Sequence, residues 1–336
     1  MADVADQAVE RATEPAARPA PPVVEHRGRG SRRSRVLALF LRVFVRPVLV
    51  AYGRFPHLPW PFGLIDRLAF WMRSLPGTER APVALPDCRA EWIQARKATG
   101  NRVVLYLHGG AFICCGLRTH RRLVSEISAA GRCPVLTVDY RMLPRAPISS
   151  SVTDGVHGFR WLLDQGFRPE EIVVAGDSAG GFLAFQVALA VVQRRLGTPA
   201  AVVALSPLTD LDPARKCEHP NASLDPVFPT SVLSAVADLA AKTEARVFVD
   251  GSPGPALSPV DADLGELPPV LIQAGSTEML LPDSELMADR LAAAGVGVTL
   301  QIWDRQVHVF QAAADLVPEG RAAIREIGTF LRQAAP

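Results

Sequence analysis

A serine between small residues follows a β-type run of the sequence. In the stretch IVVAGDSAGGF, Gly176, Ser178 and Gly180 form the pattern G-x-S-x-G between that run and a long apolar segment. A serine on a sharp turn from strand to helix has a strained backbone, and a Cβ at either flanking glycine would collide with it. The alternative is a glycine-rich turn that arose by chance. The predicted strand before it and helix after it argue against that alternative. The pattern predicts Ser178 as a nucleophile for acyl carbons, with the N–H of Ala179 facing the developing oxyanion.

A second loop of small residues could supply further donors to that oxyanion. The stretch LHGGAFICCG, residues 107–116, ends the apolar run RVVLYLH about 70 residues before the serine. Acyl transfer needs several N–H groups around the carbonyl oxygen, and a loop with little side-chain bulk can bring them close. The sequence therefore predicts Gly109, Gly110 and Ala111 as oxyanion donors.

Several polar or small residues beside these loops are assigned supporting roles. His108 is expected to hold the shape of the glycine loop rather than to transfer protons. The side chain of Asp177 should leave its strand on the side opposite to the nucleophile and support the loop, while Ser206 should line the acyl pocket. Cys114 and Cys115 are interpreted as small apolar packing residues.

These candidates require a sheet that brings the ends of several strands together. Six short, β-branched runs occur at 102–108, 134–140, 171–176, 200–206, 269–275 and 298–303. Their continuous apolar character is typical of strands buried on both faces, and the intervals between them show helical periodicity. The sequence therefore predicts an α/β fold with a mostly parallel central sheet flanked by helices. In such sheets functional residues collect at the carboxyl ends of the strands.

The base is assigned from chain order. In an α/β-hydrolase the serine is followed by the acid and then by the histidine. His308 lies after the last run, in QVHVF, where a loop could carry its imidazole back to the serine. A histidine of a solvent-exposed loop is the alternative.

Four blocks of the sequence resemble the signature blocks of the hormone-sensitive-lipase-like, or family IV, esterases of the α/β-hydrolase superfamily. The blocks are HGGAF (108–112), DYRMLP (139–144), GDSAGG (176–181) and VHVF (307–310). The similarity of order and spacing extends over residues 80–335. The resemblance implies a carboxylic ester hydrolase without a cofactor. It also implies a helical cap built from N-terminal helices at 31–78 and an insertion at about 210–262, over a catalytic domain at 79–336.

The sequence departs from that family pattern at two sites. Glu278 follows the run PVLIQAG and precedes His308 by 30 residues, where the family places its acid, but the family more often has aspartate there. Asp283 is the second candidate acid and is interpreted as a residue of the first helical turn after that strand. Ala111 stands where the family usually has glycine; its methyl group should narrow the space beside the oxyanion and limit the acyl or alcohol groups accepted.

Composition limits the other possibilities. A chain of 336 residues with 49% hydrophobic content can bury a large core, and we expect one catalytic domain with attachments. The 36 basic and 34 acidic residues give a net charge of +2, which offers no general attraction for nucleic acid. The five cysteines show no CxxC spacing, which favours a reducing compartment over a zinc site or a disulfide framework. We therefore expect no metal and a cytoplasmic protein.

The N-terminal region carries two further predictions. Residues 1–30 lack an apolar pattern and are expected to form a disordered tail. The following stretch, SRRSRVLALFLRVFVRPVLVAYG, places Arg35, Arg42 and Arg46 on one helical face, which predicts an amphipathic helix too often interrupted by charge to span a bilayer. Three interpretations remain open: packing over the rest of the protein, peripheral membrane contact through residues 35–50, and a twin-arginine export signal. The aromatic residues that follow, Trp60, Phe62, Phe70 and Trp71, are expected in the core of the cap.

Together these features predict a serine carboxylesterase that hydrolyses apolar esters of short or medium chain through an acyl-enzyme. Lactone hydrolysis by the same chemistry is an alternative. A second alternative is a small-ligand-binding member of the fold, against which the presence of His308 and Glu278 argues. The expected partner is a small apolar ester, and a homodimer is left open.

Overall fold

The computed structural model describes residues 20–247 and 258–334, and nine strands of this part form one sheet. The order across the sheet is β1-β9-β8-β7-β6-β4-β5-β3-β2. The strands are β1 Val23–Arg27, β2 Glu79–Ala84, β3 Arg89–Gln94, β4 Val103–Leu107, β5 Val135–Asp139, β6 Ile172–Asp177, β7 Ala201–Leu205, β8 Val270–Gly275 and β9 Val298–Trp303.

The sheet is mostly parallel, as predicted. Strands β4 to β9 and β1 pair in parallel, whereas β3 is antiparallel to both β5 and β2. Each of the six runs identified in the sequence forms one of the strands β4 to β9, within a residue or so at each end. This prediction is confirmed, and the runs could be recognised because a strand buried on both faces is apolar at most of its positions.

Eleven α-helices of the described part accompany the sheet. They are α1 Arg32–Phe40, α2 Arg46–Arg54, α3 Phe62–Leu68, α4 Leu117–Gly131, α5 Ile148–Asp164, α6 Ala179–Gln193, α7 Ala214–Glu218, α8 Asn221–Leu224, α9 Thr230–Val247, α10 Leu281–Ala293 and α11 Pro318–Gln333.

The core consists of two layers on opposite faces of the sheet. Leu105 and Leu107 of β4 belong to a buried cluster with residues of α5, α6 and α10, whereas Val104 and Tyr106 belong to a cluster with residues of α4 and α11. Alternate residues of a strand point to opposite faces, so one strand contributes to both layers. The result is the three-layer arrangement expected of an α/β-hydrolase.

The expected disorder of residues 1–30 is wrong for its last part. Val23–Arg27 forms β1, which extends the sheet by pairing in parallel with β9. The side-chain amide of Gln301 also donates a hydrogen bond to Glu25, 2.9 Å away. Backbone pairing to an existing sheet edge supplies the stabilisation that the composition of this segment lacks. Residues 1–19 lie outside the described part of the chain.

The N-terminal helix is continuous over Arg32–Arg54, with a π-turn at Leu41–Val45 joining α1 to α2. The hydroxyl of Ser31 caps α1 by accepting from the N–H of Ser34, and the N–H of Ser31 donates to Glu319 at 2.7 Å. By length and composition alone, with a mean hydropathy of 1.8, the 23-residue helix could cross a membrane; core helices and signal sequences can meet the same criterion. Only 6% of its most apolar stretch is buried against the rest of the protein.

The segments assigned to the cap are helical, but their role remains a prediction. Helices α1–α3 precede the sheet in the chain, while α7–α9 lie between β7 and β8. Helix α2 packs on α9, and at their contact a Cβ added to Gly53 would lie 2.2 Å from the hydroxyl oxygen of Ser231. Residues 248–257 of the predicted insertion lie outside the described part of the chain.

The aromatic residues of this region divide into two groups. Trp60 and Phe62 pack against the buried ring of Tyr52, as expected for a core. Phe70 and Trp71 are 72% and 68% exposed, so their assignment to the core is wrong. Both lie in the short turn after α3, which leaves their rings on the outside of the protein.

Candidate active site

The predicted nucleophile lies on a tight turn between β6 and α6. Ser178 has φ +53° and ψ −118°, a strained conformation for a residue with a side chain. A Cβ at Gly176 would lie 2.1 Å from the carbonyl oxygen of Gly180, and one at Gly180 would lie 1.9 Å from that of Leu107. The two glycines are therefore required by the close packing of backbone around the serine, as the G-x-S-x-G pattern predicted.

The glycine loop after β4 also has an unusual backbone. Gly110, Ala111 and Phe112 have φ angles of +120°, +53° and +62°. Among the described residues, no hydrogen bond is donated by the N–H of Gly110, Ala111 or Ala179. Ala111 and Ala179 line the same pocket as Ser178, so the amides of these two residues lie where an oxyanion could use them, and Gly110 directly precedes Ala111 in the loop.

Gly109 does not have the role predicted for it. Its N–H donates to the Oδ1 atom of Asp177 at 3.0 Å, so it is not available to an oxyanion. The same oxygen accepts the hydroxyl of Tyr106 at 2.8 Å. Asp177 therefore holds the beginning of the glycine loop against β6, which confirms the supporting role expected of this carboxylate.

Asp177 also forms a buried ion pair that the sequence did not predict. The Nε2 atom of His120, on α4, lies 3.3 Å from the Asp177 carboxylate. Burial alone would lower the pKa of His120, but the charge and hydrogen bond of Asp177 outweigh burial and raise it to about 9. The only signal in the sequence was a polar residue on the buried face of an otherwise amphipathic helix.

His108 is fully buried, and its ring lies beside that of His120, with centroids 5.4 Å apart. Burial, followed by the charge of His120, lowers its pKa to about 4, so its ring is neutral at neutral pH. Its ring stacks on Tyr140 with centroids 4.3 Å apart, and the Tyr140 hydroxyl donates to its carbonyl oxygen at 2.7 Å. These contacts support the expectation that His108 shapes the loop.

The predicted base and acid are in direct contact. The Nδ1 atom of His308 lies 2.8 Å from Oε2 of the fully buried Glu278. A carboxylate can only accept, so Nδ1 carries the proton. Glu278 is itself oriented by the N–H of Gly275, which donates to Oε1 at 2.8 Å. The remaining ring nitrogen of His308, Nε2, is buried and has no hydrogen-bond partner among the described residues.

The glutamate favours the protonated form of this histidine. Burial lowers the pKa of His308, but the hydrogen bond and charge of Glu278 outweigh that effect and raise it above its ordinary value of 6.5. A raised pKa means that the environment favours the imidazolium. The pair is therefore suited to accept a proton at Nε2.

Serine and histidine are anchored to consecutive residues at the end of β7. The N–H of Ser178 donates to the carbonyl oxygen of Leu205 at 2.9 Å, and the N–H of Val309 donates to the hydroxyl oxygen of Ser206 at 3.0 Å. Ser206 is fully buried and is not among the residues that line the pocket, so the expectation that it lines the acyl pocket is wrong. It instead positions the loop that carries His308.

Asp283 lies in the first turn of α10, as expected, but it also has a larger role. Its Oδ1 atom accepts from the ammonium of Lys216 at 2.9 Å, and both side chains are buried. Its Oδ2 atom accepts from the N–H groups of Thr209 and Asp210. Asp283 therefore binds the segment after β7 to the core and is not bonded to His308.

A narrow apolar pocket opens beside the serine. Most of its walls come from the segment between β7 and β8 and from the two oxyanion loops. Its lining residues are Ala111, Ser178, Ala179, Leu208, Leu211, Lys216, Phe228, Val232, Leu233, Val236, Ala237 and Leu280. The cavity measures about 40 Å³. Phe228 also packs edge-on against the His308 ring, with centroids 4.8 Å apart, which links the pocket wall to the predicted base.

One other group of described residues combines metal-ligand types. The ligand atoms of Asp87, Asp154 and His157 lie within 4.8 Å of one another. The two carboxylate oxygens of Asp154, however, accept hydrogen bonds from the guanidinium and N–H of Arg141 at 2.7–3.1 Å. The ion pair between the buried Asp154 carboxylate and the Arg141 guanidinium explains why these side chains lie together.

Comparison with known proteins places the chain in a family. A family model described as alpha/beta hydrolase fold matches residues 104–312. The esterase LipU of Mycobacterium tuberculosis is 44% identical over 295 residues, which span 86% of this chain and 99% of that protein. The carboxylesterase/phospholipase LipF of the same organism is 41% identical over 307 residues, spanning 89% of this chain and 81% of that protein.

A solved structure gives the same result. A crystal structure described as an esterase from the bacterial hormone-sensitive lipase family superimposes with a TM-score of 0.78 at 33% identity and covers 91% of this chain and 99% of that chain. The chain therefore belongs to the α/β-hydrolase family, on its hormone-sensitive-lipase-like esterase branch.

Proposed function

We propose that this member is a serine carboxylesterase that hydrolyses apolar esters of short or medium chain through an acyl-enzyme intermediate. The observation that carries the proposal is the junction at β7. There a strained Ser178 and a His308 oriented by Glu278 are anchored to consecutive residues, with the Nε2 atom of the histidine left without a partner.

In the proposed first half-reaction, the Oγ atom of Ser178 attacks the ester carbonyl carbon while its proton passes to Nε2 of His308. The negative charge that forms on the carbonyl oxygen is stabilised by the N–H groups of Gly110, Ala111 and Ala179. His308 then gives the proton to the alcohol oxygen, the carbon–oxygen bond breaks, and the alcohol leaves.

In the second half-reaction a water molecule attacks the acyl-enzyme. His308 takes a proton from the water and returns it to Oγ of Ser178 as the acid leaves. Glu278 holds the imidazole in the tautomer with the proton on Nδ1 and stabilises its charged form in both steps. No proton has to be transferred to the glutamate.

The pocket favours short acyl groups within this range. Its volume of about 40 Å³ is much smaller than the about 150 Å³ of a cavity that binds benzene. The apolar walls offer no cation to a charged acyl group, because the ammonium of Lys216 already binds Asp283 and the carbonyl oxygens of Asp210 and Asp212.

Lactone hydrolysis by the same residues is the alternative within this chemistry. A ligand-binding role without catalysis is disfavoured by the intact contact between His308 and Glu278. The proposal includes a small apolar ester as partner and a peripheral contact of residues 35–50 with a membrane. A cytoplasmic location and a homodimer remain predictions.

The test is a Ser178→Ala variant beside a Ser223→Ala control, since Ser223 is exposed and its hydroxyl donates to the carbonyl oxygen of Pro220, just before its own short helix. We expect the first variant to lose hydrolysis of p-nitrophenyl butyrate and all labelling by a fluorophosphonate probe while staying folded. The control should retain both. Labelling of Ser178→Ala would assign the nucleophile to another residue, and an ester and lactone panel with the parent would determine the preferred chain length.

A further inference from the structure

The outer face of the N-terminal helix is apolar and exposed. Seven large apolar side chains of α1, the π-turn and α2 point to solvent, with Val36 and Phe44 exposed by 67% and 63%. The seven are Val36, Leu39, Phe40, Val43, Phe44, Val48 and Val50. Their spacing of three, four and seven residues places them on one side of a helix. We call this set the outer face; a contiguous apolar surface of this kind marks an interaction site.

The segment of the sequence that carries the outer face has charges of one sign only. Between Glu25 and Asp66 the sequence has no acidic residue, although it has eight arginines. They are Arg27, Arg29, Arg32, Arg33, Arg35, Arg42, Arg46 and Arg54. The whole chain carries only +2, so this segment concentrates positive charge that the rest of the protein balances.

The opposite side of the helix is attached to the protein. Leu37, Ala38 and Leu41 pack against a buried cluster that includes Trp303 and Phe310. The guanidinium groups of two arginines further along also bind the segment after β7. Arg42 donates to the carbonyl oxygens of Ser223 and Leu224, and Arg46 donates to that of Asp225. The helix therefore lies along the protein surface, and crossing a bilayer would require these contacts to break.

Resting on the peripheral membrane contact included in the proposed function, we propose that the outer face docks on an anionic lipid membrane, with the helix in the plane of the interface. Apolar side chains would enter the boundary of the acyl chains, and the arginines beside them would bind lipid phosphates. A second copy of the chain fits less well, because a symmetric contact would bring the exposed arginines of α1, Arg32, Arg33 and Arg35, together from both copies. An anionic surface instead neutralises them.

The test is flotation of the full chain with vesicles of phosphatidylcholine alone or mixed with phosphatidylglycerol. We expect flotation with the anionic vesicles, weakened by added salt and by an alkaline carbonate wash. The double variant Phe40→Glu/Phe44→Glu should weaken flotation by about tenfold or more for each phenylalanine that no longer enters the lipid. Leu316→Glu, at an equally exposed leucine after β9, is the matched control and should float like the parent.

A second variant keeps the test independent of the apolar substitutions. Arg33→Gln/Arg35→Gln changes two exposed side chains and should weaken binding to anionic vesicles while leaving the thermal midpoint unchanged. Equal flotation with neutral and anionic vesicles would overturn the proposal, as would retention after the carbonate wash, which would indicate a spanning helix. A dimer in solution that Phe40→Glu/Phe44→Glu dissociates, with no flotation of the parent, would assign the face to a second copy. None of these readouts depends on ester hydrolysis.

Discussion

Replacing Glu278 by glutamine removes the charge of the proposed acid while nearly preserving its shape. Both carboxylate oxygens accept in the structure, Oε2 from Nδ1 of His308 and Oε1 from the N–H of Gly275, each at 2.8 Å. A glutamine has one oxygen and one NH₂ group, so one of these two donors must face another donor. If the NH₂ group faces His308, the ring proton has to move to Nε2, where it prevents that nitrogen from acting as a base.

The expected loss is large. A neutral amide in place of the triad carboxylate lowers kcat about 10⁴-fold in a well-studied serine protease, mainly through the wrong tautomer. We expect Glu278→Gln to lower kcat for p-nitrophenyl butyrate at least about 10³-fold, which corresponds to about 4 kcal/mol of transition-state stabilisation. Fluorophosphonate labelling, which also depends on an activated serine, should slow in parallel.

The pH profile separates this explanation from general damage. The proposed mechanism needs a neutral His308, so kcat/KM should fall as the pH drops through the pKa of this group. Glu278 raises that pKa above 6.5 in the parent, and its loss should move the acidic limb of the residual activity to lower pH. An unchanged limb in a folded Glu278→Gln variant would contradict the assignment.

Asp283→Asn is the matched control, since it makes the same chemical change at the other candidate acid. It should leave kcat close to the parent value but lower the free energy of unfolding by about 3–5 kcal/mol, because the ammonium of Lys216 stays buried without its counter-charge. This is much more than the about 0.3–1 kcal/mol of a helix-end charge. A near-normal kcat for Glu278→Gln with a collapsed one for folded Asp283→Asn would reverse the roles.

Three further predictions concern the supporting structure. The pKa of His120 is raised from an ordinary 6.5 to about 9, so its ion pair with Asp177 stabilises the fold fully below about pH 6.5 and loses this effect as the pH rises through about 9. The thermal midpoint should therefore fall over that range, and His120→Gln should make the fall smaller. A pH profile of the midpoint that is the same in the variant and the parent would contradict this explanation. Deleting residues 1–19 should leave the thermal midpoint and ester hydrolysis unchanged. Deleting residues 1–30 also removes β1, which should lower the midpoint and promote aggregation by exposing the β9 edge of the sheet. Equal midpoints for the two deletions would show that β1 does not stabilise the fold. Ala111→Gly should raise kcat/KM for branched esters relative to straight-chain esters without loss of stability, since φ is +53° at this site; the ratio of the two rates checks it.

The sheet and the placement of the candidate site residues could be predicted because their signals are local. Strands buried on both faces read as continuous apolar runs, and the strained serine turn requires glycine at fixed positions. The contact between Glu278 and His308 followed from strand ends, chain order and the family spacing. Each of these inferences depends on a few neighbouring residues or on a spacing that the fold preserves.

The features that could not be predicted depend on contacts between distant segments. The composition of Val23–Arg27 gives no sign of a strand, since its pairing depends on an available edge at β9. The occupied N–H of Gly109 could not be recognised without the position of Asp177, nor could the pairing of that carboxylate with His120. Loop amides and buried polar partners leave no periodic pattern in a sequence.

The departure from aspartate at the acid position has a structural explanation. Glu278 lies in the turn after β8, and its side chain folds back so that Oε1 reaches the N–H of Gly275, the last residue of that strand, while Oε2 reaches His308. An added Cβ at Gly275 would lie 2.2 Å from the carbonyl oxygen of Gln306, so the strand end packs directly on the loop that leads to the histidine. The longer side chain therefore spans from its own strand end to the imidazole across a closely packed backbone. The shorter side chain of an aspartate could make both contacts only if this backbone moved, which the packing of Gly275 against the histidine loop opposes.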